Sequence, residues 1–372
     1  MTPTDPALQL LIDRVKTARS AGAQLRIRGG GTKDFYGEHP HGELLDTRVL
    51  EGTSSYEPTE LVVTTRCGTS LAELEALLAT KGQCLPFEPP HFGNPTTATR
   101  QRGATVGGMV AAGLAGPSRA AVGSVRDYVL GATLLNGNGD VLTFGGQVMK
   151  NVAGYDVSRL LAGSLGTLGV ILEVSLKVMP IAPATVTLRL EMNEAKAIAQ
   201  LNEWGGQPLP LNASAWWDSN LIVRLSGALA AVQAARVRLG GDIVEPEFAA
   251  PFWEGLRNHD DEFFAKARTA VDAGAALWRI SVPQTAAPLN LSGELMLEWG
   301  GAQRWLCSAM PASAVRDAAV SAGGHATLFN AHDKSAGAFA PLRSPLDRIH
   351  RELKKTFDPV GIFNPGRLYP GL

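Results

Sequence analysis

The sequence predicts an α+β fold made of two differently built parts. Up to about residue 182, short strands of alternating apolar and polar residues are separated by glycine-rich turns. From about residue 184 to 330, such turns are few, and strands alternate with amphipathic helices in the order β-α-β-β-α-β, which is typical of a split β-α-β sandwich. A chain of 372 residues has room for two such parts.

A helix opens the first part. Asp5 has the side chain of an N-cap, Pro6 fits the first helical position, and Gly22 fits the end. This stretch contains acidic residues and lacks the uninterrupted apolar core of a signal peptide, and no apolar run approaches the length of a membrane span. We therefore expect a cytoplasmic protein.

Three consecutive glycines follow the first predicted strand, 24–28, in the segment QLRIRGGGTKDFYG. Such a run indicates either a tight turn or a loop that brings bare N–H groups against a phosphate. The pattern G-x-G-x-x-G requires a following helix, which DFYGEHPHGE does not predict, and the G-K-[ST] of a P-loop is missing. Both the plain turn and another kind of anion-binding loop stay open.

Further strands are predicted over 44–47 and 60–66. Ser70 and Glu73 have the spacing of a capping box at the start of a helix that ends near Gly82.

Residues 103–116, GATVGGMVAAGLAG, are almost all small, which suits a backbone that something large approaches closely. The segment NGNG predicts a hairpin between strands at 128–135 and 140–144. A short helix after Asp156 and an alternating strand over 170–180 complete the first part.

The second part begins with the strands TVTLRL, SAWWD and LIVRLSG, the helix ALAAVQAARVRLGG and the strand DIVE. A similar second pass runs from ALWRISV to HATLF. The tryptophans assigned to strands are interpreted as core residues: Trp216, Trp217, Trp278 and Trp299. The chain returns to helix at SPLDRIHRELKKTF, with Ser344 as cap and Pro345 at the first helical position, and closes with DPVGIFNPGRLY.

Composition excludes several classes of function. The chain is 45% apolar and 19% charged with a net charge of −1, so nothing indicates binding to nucleic acid or an anionic membrane. Cys67, Cys84 and Cys307 are far apart and form no CxxC. A disulfide framework, a zinc site or an iron–sulfur cluster held by this chain alone is therefore not expected.

Four segments, in this order and spacing, resemble one family: RGGGTK, GATVGGMVAAGLAG, KNVAGYD…LLAGSLGTLGVI and DPVGIFNPGRLY. Together they are similar to the FAD-binding oxidoreductases of the vanillyl-alcohol oxidase/p-cresol methylhydroxylase (PCMH) type, most of all to the FAD-binding subunits of bacterial glycolate oxidase (glycolate dehydrogenase). The resemblance covers nearly the whole chain from Gln24 onward. It implies a PCMH-type two-subdomain FAD-binding domain over 1–182 and an inserted α/β cap domain of antiparallel sheet and helices over 183–335. The C-terminal segment, 336–372, would pack back on the FAD domain.

The resemblance also implies which residues bind FAD. The first glycine loop would hold the pyrophosphate, because amides without side chains converge on phosphate oxygens while Lys33 supplies charge. Asn364 would lie near the isoalloxazine ring. The implied cofactor-binding residues are Arg28, Gly29, Gly30, Gly31, Thr32, Lys33, Gly103, Thr105, Gly107, Gly108, Gly163, Gly166, Thr167, Gly169, Val170 and Asn364.

Some relatives attach FAD covalently through a histidine in the first loop. This chain has Thr32 there, and His39 and His41 lie beyond the motif, so we expect non-covalent FAD. His91, in the proline-rich loop LPFEPPHFGNP, is interpreted as a surface or packing residue.

Relatives that oxidise α-hydroxy acids carry a paired-histidine metal motif, H-x-G-D-G-N-x-H, and a later S-x-E-H-G. In HATLFNAH, His325, Asn330 and His332 keep the outer spacing without the central G-D-G, so no metal site is predicted. Met149 and Ala153 stand where relatives often have Arg and Thr, which suit a carboxylate. No catalytic residue is assigned.

The resemblance therefore implies the FAD-binding subunit of a complex that oxidises glycolate to glyoxylate. Electrons would pass to partner subunits, a catalytic FAD-containing paralogue and an iron–sulfur subunit, rather than to NAD. Two alternatives are a non-catalytic flavin-fold assembly subunit and a stand-alone FAD-dependent oxidoreductase acting on another small hydroxy acid. The expected location is the cytoplasm, with peripheral attachment to the inner membrane through partners as an option.

Overall fold

The computed structural model describes residues 5–93, 103–146 and 156–372. In this part of the chain the α-helices are α1 Pro6–Ala21, α2 Leu71–Ala79, α3 Val106–Ala112, α4 Arg119–Val122, α5 Val125–Tyr128, α6 Glu194–Gly205, α7 Leu229–Leu239, α8 Pro246–Asn258, α9 Glu262–Asp272, α10 Ala312–Ser321 and α11 Leu346–Phe357. The strands are β1 Leu25–Arg28, β2 Glu43–Asp46, β3 Thr53–Glu57, β4 Val62–Arg66, β5 Gln83–Cys84, β6 Val129–Leu135, β7 Val141–Gly145, β8 Val170–Lys177, β9 Met179–Pro180, β10 Ala184–Glu191, β11 Leu211–Trp217, β12 Asn220–Gly227, β13 Asp242–Val244, β14 Ala276–Ser281, β15 Glu294–Glu298, β16 Gln303–Ser308 and β17 His325–Asn330.

Helix α1 forms as the sequence predicts. The Asp5 carboxylate accepts hydrogen bonds from the amides of Ala7 (2.9 Å) and Leu8 (3.3 Å), as an N-cap does. Pro6 occupies the first turn. Gly22 ends the helix with a φ of 64°, a left-handed conformation that glycine adopts without strain.

The chain divides into two compact units. The first contains Met1–Leu114, Ser124–Pro180 and Pro341–Leu372, and the second contains Ala115–Gly123 and Ile181–Ala340. The second unit is thus inserted into the first. Residues Ala115–Gly123 belong to the inserted unit, whereas the resemblance placed them in the FAD-binding domain.

The first unit is built on a five-stranded antiparallel sheet with the order β3-β4-β8-β6-β7. The hairpin of β6 and β7 around NGNG confirms the turn prediction, with the Gly139 amide donating to the Asn136 carbonyl at 3.1 Å. Strand β8 is buried along most of its length, because it is the central strand of the sheet. A separate parallel pair, β1 and β2, carries the first glycine loop.

The second unit contains an eight-stranded antiparallel sheet with the order β13-β10-β12-β11-β15-β16-β14-β17. Its first half follows the predicted β-α-β-β-α-β order, from β10 through α6, β11, β12 and α7 to β13. Helices α6 and α7 pack on that half, and α10 packs on the second half. The unit is therefore α+β, as predicted.

Helices α9 and α10 cover opposite faces of the second half of this sheet. Trp305 makes an edge contact with Phe264 of α9, at 5.1 Å between ring centroids, whereas its neighbour Leu306 packs in one cluster with Val315 of α10. Successive strand residues point to opposite faces. The sheet is thus sandwiched between helices there.

Some local predictions were wrong. Ser70 stands at the N-cap of α2 but its side chain makes no capping hydrogen bond, so the predicted capping box is not formed. Helix α11 begins at Leu346, and Pro345 rather than Ser344 occupies the cap position. Trp299 lies in a short 3₁₀ turn after β15, not on a strand.

Helices α8 and α9 were missed by the sequence prediction. Pro251 interrupts the sequence pattern inside α8, because proline removes a helical hydrogen bond. The helix forms nevertheless, since its apolar face, which includes Trp253 and Leu256, is buried. Among the described residues, no helix combines the length and the apolar character that crossing a bilayer requires.

Candidate functional site

An open cleft in the first unit is lined by the glycine loop that follows β1. It contains about 600 Å³ of empty space, part of it open to solvent. Residues 26–34, helix α3 and the C-terminal segment meet there. Of the residues that the resemblance implied for cofactor binding, those that line the cleft are Arg28, Gly29, Gly30, Gly31, Thr32, Lys33, Thr105, Gly108 and Asn364.

Strand β1 delivers the glycine loop to this cleft from a fixed position. On one side it pairs with β2. On the other side the Leu25 amide donates to the Ile362 carbonyl (2.7 Å), and the Asn364 amide donates to the Leu25 carbonyl (2.9 Å). The Ile27 amide donates to Asn364 Oδ1 at 2.8 Å. The C-terminal segment therefore acts as a second neighbour of β1.

Two glycines of the loop occupy positions at which a side chain would be strained or would displace a neighbour. Gly31 has a φ of 75°, and a Cβ there would collide with the Arg28 guanidinium. A Cβ on Gly29 would collide with the Thr105 hydroxyl. The loop therefore packs closely on its surroundings and presents backbone to the cleft.

Helix α3 explains part of the run of small residues. Its N-cap, Thr105, accepts a hydrogen bond from the Gly108 amide at 3.2 Å. Gly107 packs on Cys67: its amide donates to the Cys67 carbonyl (2.8 Å), and a Cβ would lie 2.6 Å from the Cys67 Cβ. Gly108 and Ala111 line the cleft. Small residues thus allow close packing on one side of α3 and open the cleft on the other.

Most of the charged side chains that line the cleft are basic. Arg28 Nε donates to Asp34 Oδ2 at 2.7 Å, and Arg26, Lys33 and Arg367 add further positive charge. Arg367 Nη2 donates to the carbonyls of Lys33 (3.2 Å) and Asp34 (2.9 Å). Arg26 Nε and Arg367 Nη1 are buried and have no hydrogen-bond partner among the described residues. Burial lowers the pKa of Arg367 to about 10, so it stays charged at neutral pH. The cleft is suited to an anion.

The third glycine-rich segment, 163–170, meets the cleft at Leu165, whose carbonyl accepts a hydrogen bond from Asn364 Nδ2 at 2.6 Å. Gly166 has a φ of 73°, and its Cβ would lie 2.7 Å from the same Nδ2. This segment therefore braces the Asn364 side chain. The predicted cofactor-binding residues that are not among those lining the cleft are Gly103, Gly107, Gly163, Gly166, Thr167, Gly169 and Val170. Their contact with the cofactor stays a prediction.

Sequence reasoning missed Arg26 and Arg367, which the structure brings to the cleft together with Asp34. Arg26 shares a strand face with Arg28, two residues on, so strand alternation could have indicated it. Arg367 lies 334 positions from Lys33, whose carbonyl it binds. Nothing local in the sequence pointed to that contact.

The histidines singled out from the sequence do not line the cleft. His325 is the first residue of β17, and His332 lies two residues beyond its end. The described residues hold no group of three His, Cys, Asp or Glu side chains that could bind a metal. His91 Nε2 lies 2.9 Å from Glu75 Oε2. Met149 and Ala153 fall outside the described residues.

Comparison with known proteins extends the resemblance. A family model described as an FAD binding domain matches residues 8–145. Glycolate oxidase subunit GlcE of Escherichia coli (strain K12) is 47% identical over 364 residues, which cover 98% of this chain and 98% of that protein. Glycolate oxidase subunit GlcD of Bacillus subtilis (strain 168) is 30% identical over 175 residues, 46% of this chain and 35% of that protein. A solved structure of alkyldihydroxyacetonephosphate synthase shares the fold, with a TM-score of 0.63 and 16% identity over 96% of this chain and 75% of that one.

The fold, the basic glycine-lined cleft and the matching family model define an FAD-binding protein of the PCMH type. FAD is its cofactor, as the sequence predicted. Within that class, the chain belongs to the family of glycolate oxidase subunit GlcE.

Proposed function

We propose that this chain is the FAD-binding subunit of a glycolate-oxidising complex, which converts glycolate to glyoxylate and passes the electrons to partner subunits rather than to NAD. The observation that carries the proposal is the 47% identity to glycolate oxidase subunit GlcE over 98% of both chains. Because the similarity spans both units and not the FAD-binding segment alone, it supports a shared role for the whole chain.

The cleft residues fit the pyrophosphate of FAD. Gly29 to Gly31 present backbone without side chains, and an anion can approach it closely. Arg26 Nε and Arg367 Nη1 are buried donors that phosphate oxygens would satisfy. We assign pyrophosphate binding to these residues together with Lys33. The small residues of α3 leave room for the remainder of the cofactor.

Bound FAD would supply the two-electron chemistry, and the residues of this chain bind and orient it. Thr32 lines the cleft where some relatives carry a histidine that tethers FAD. His39 and His41 are exposed and are not among the lining residues. We therefore propose that FAD is held without a covalent bond.

Oxidation of an α-hydroxy acid requires a base for the hydroxyl proton and a cation for the carboxylate. Among the described lining residues the one carboxylate is Asp34, and Arg28 already binds it. We propose that a catalytic FAD-containing paralogue supplies substrate oxidation and that an iron–sulfur subunit supplies onward transfer. The absence of a base from the described lining also favours a second candidate function, a flavin-fold subunit that only assembles the complex.

An experiment with the purified chain and the co-expressed complex tests these proposals. The isolated chain should be yellow but barely bleached by glycolate under anaerobic conditions, and the complex should be bleached rapidly. A complex that contains Gly31→Val should assemble but lose dye-linked glycolate oxidation if this flavin relays electrons. It should keep that activity if the chain only assembles the complex. Rapid bleaching of the isolated chain, or its recovery as a lone monomer from cells with both partners, would contradict the proposal.

A further inference from the structure

Lys354 of α11 is buried although it carries a charge. The residue is 8% exposed, and its Nζ donates to the Thr167 carbonyl (2.8 Å), the Phe363 carbonyl (2.7 Å) and Asp358 Oδ2 (2.6 Å). An ammonium group has three donors, so these acceptors satisfy it fully. Burial lowers the pKa of Lys354, and the neighbouring Asp358 opposes that shift.

Asp358 extends the same contact into the C-terminal segment. Its Oδ1 accepts a hydrogen bond from the Ile362 amide (3.0 Å), and its Oδ2 accepts one from the Phe363 amide (2.8 Å). Asn364, the next residue, makes the side-chain bonds that reach β1 and the 163–170 segment. The ion pair thus fixes the backbone immediately before Asn364.

Lys354 also binds the third glycine-rich segment, 163–170, because the Thr167 carbonyl that accepts its hydrogen bond belongs to that segment. One ammonium group therefore binds both sides of the junction at which the C-terminal segment meets the third glycine-rich segment. Lys354 itself is not among the residues that line the cleft. Its influence on the cleft must pass through Asn364 and Leu165, which do line it.

From this geometry we infer that Lys354 is a positioning residue for FAD: it sets the placement of Asn364 between β1 and the 163–170 segment and so shapes the cleft. The inference rests on the FAD site proposed above. A buried ion pair adds little net stability compared with well-packed apolar side chains. Stability alone therefore does not account for a charged lysine here, whereas three convergent acceptors around one compact ammonium define a geometry.

The test compares Lys354→Met, which keeps the length of the side chain without donors, with Lys354→Gln, which keeps two donors without charge. Leu176→Ala is the matched control, because Leu176 is fully buried in the sheet of the same unit and does not line the cleft. The full chain is stripped of FAD and titrated with FAD. The dissociation constant, the visible flavin spectrum and the melting temperature are recorded for each variant.

Both lysine variants should bind FAD about tenfold more weakly or worse, the size of effect seen when outer-shell partners are removed from metal sites. Their flavin bands should shift, whereas Leu176→Ala at a comparable loss of melting temperature should keep the wild-type constant and spectrum. If Lys354→Met does not fold, Lys354→Gln decides the matter. If the lysine variants lose melting temperature but keep the wild-type FAD dissociation constant and flavin spectrum, as the control should, the inference is overturned. The proposed function is unaffected by that result. Failure of the wild-type chain to bind FAD would refute the proposed site itself.

Discussion

The side chain of Asn364 and the backbone of Ile27 are joined by a hydrogen bond of 2.8 Å across 337 positions of sequence. The same side chain donates to the Leu165 carbonyl at 2.6 Å. The Oδ1 atom of Asn364 therefore binds the strand that leads into the first glycine loop, and its Nδ2 atom binds the third glycine-rich segment, 163–170. The C-terminal segment therefore braces two walls of the cleft, so substitutions at Asn364 should alter FAD binding.

Gly31→Val should abolish FAD binding, because a branched side chain at a φ of 75° would collide with Arg28 and cover the loop backbone. Gly30→Val should do the same, since Gly30 also lines the cleft. Gly82→Val is the control: Gly82 has a φ of 64° but open space around a Cβ. Each change at a positive φ should cost about 1–2 kcal/mol in the free energy of unfolding. Only the loop variants should lose flavin absorbance after gel filtration, and a yellow Gly31→Val protein at wild-type flavin content would disprove the loop's role.

Gly29 and Thr105 should show strong coupling in a double-mutant cycle. Gly29→Ala places a methyl group against the Thr105 hydroxyl and should weaken FAD binding. Thr105→Ala alone removes the N-cap of α3 and should cost about 0.5–2 kcal/mol in the free energy of unfolding. The double variant relieves the collision with the Thr105 hydroxyl, so its FAD affinity should exceed that of Gly29→Ala. Additive losses, measured by titration of FAD into stripped protein, would mean that the collision is not the cause.

Arg367→Met should weaken FAD binding by about tenfold or more, because it removes a buried charge-assisted donor worth about 1.5–3 kcal/mol. It also frees the carbonyls of Lys33 and Asp34 that Arg367 holds. Arg343→Met, in the same C-terminal segment but exposed, is the matched control and should keep the wild-type affinity. Equal affinities in the two variants, by calorimetric titration, would rule out a phosphate contact for Arg367.

Acid precipitation should release the flavin into the supernatant, because Thr32 offers no nitrogen for a covalent tether. The His39→Ala and His41→Ala variants should release the same amount, since both histidines are exposed and neither is among the residues that line the cleft. Absorbance of the supernatant and in-gel fluorescence of the pellet measure the two fractions. Flavin that stays with the denatured protein would show a covalent bond.

Asp261→Asn should stabilise the second unit above pH 6. Burial raises the pKa of Asp261 from its usual 3.8 to about 6. Between these values the folded protein holds a proton that the unfolded chain has lost, so the free energy of unfolding falls as pH rises through this window. Asparagine keeps the cap on the Phe264 amide, 3.0 Å away, and removes a penalty of about 1–3 kcal/mol.

Melting temperatures at pH 4.5 and 8 check this expectation for wild type, Asp261→Asn and the exposed control Asp242→Asn. The gain of Asp261→Asn over wild type should appear at pH 8 and shrink at pH 4.5. The control should follow the wild type at both values. A stability gain for Asp261→Asn that is independent of pH would contradict the assigned cause.

Local sequence predicted those features that depend on near neighbours in the chain. Asp5, Pro6 and Gly22 bound α1 because a helix end is satisfied within a few residues. Four segments in order led to FAD through their resemblance to one family, and the glycines of the first segment suit the close approach of backbone to a ligand. Helix α8 was not predicted; it forms with Pro251 inside it because burial of its apolar face outweighs the local penalty of a proline.

The tertiary structure alone decided which chemical groups meet at the cleft. Gly107 and Gly108 are adjacent glycines that the sequence does not distinguish. Gly107 packs on Cys67 whereas Gly108 lines the cleft, because a helix turns about 100° at each residue. Arg367 and Lys354 act on segments 334 and 187 positions away. Hydrogen bonds between residues so far apart in sequence depend on the tertiary fold, which no local pattern of residues encodes.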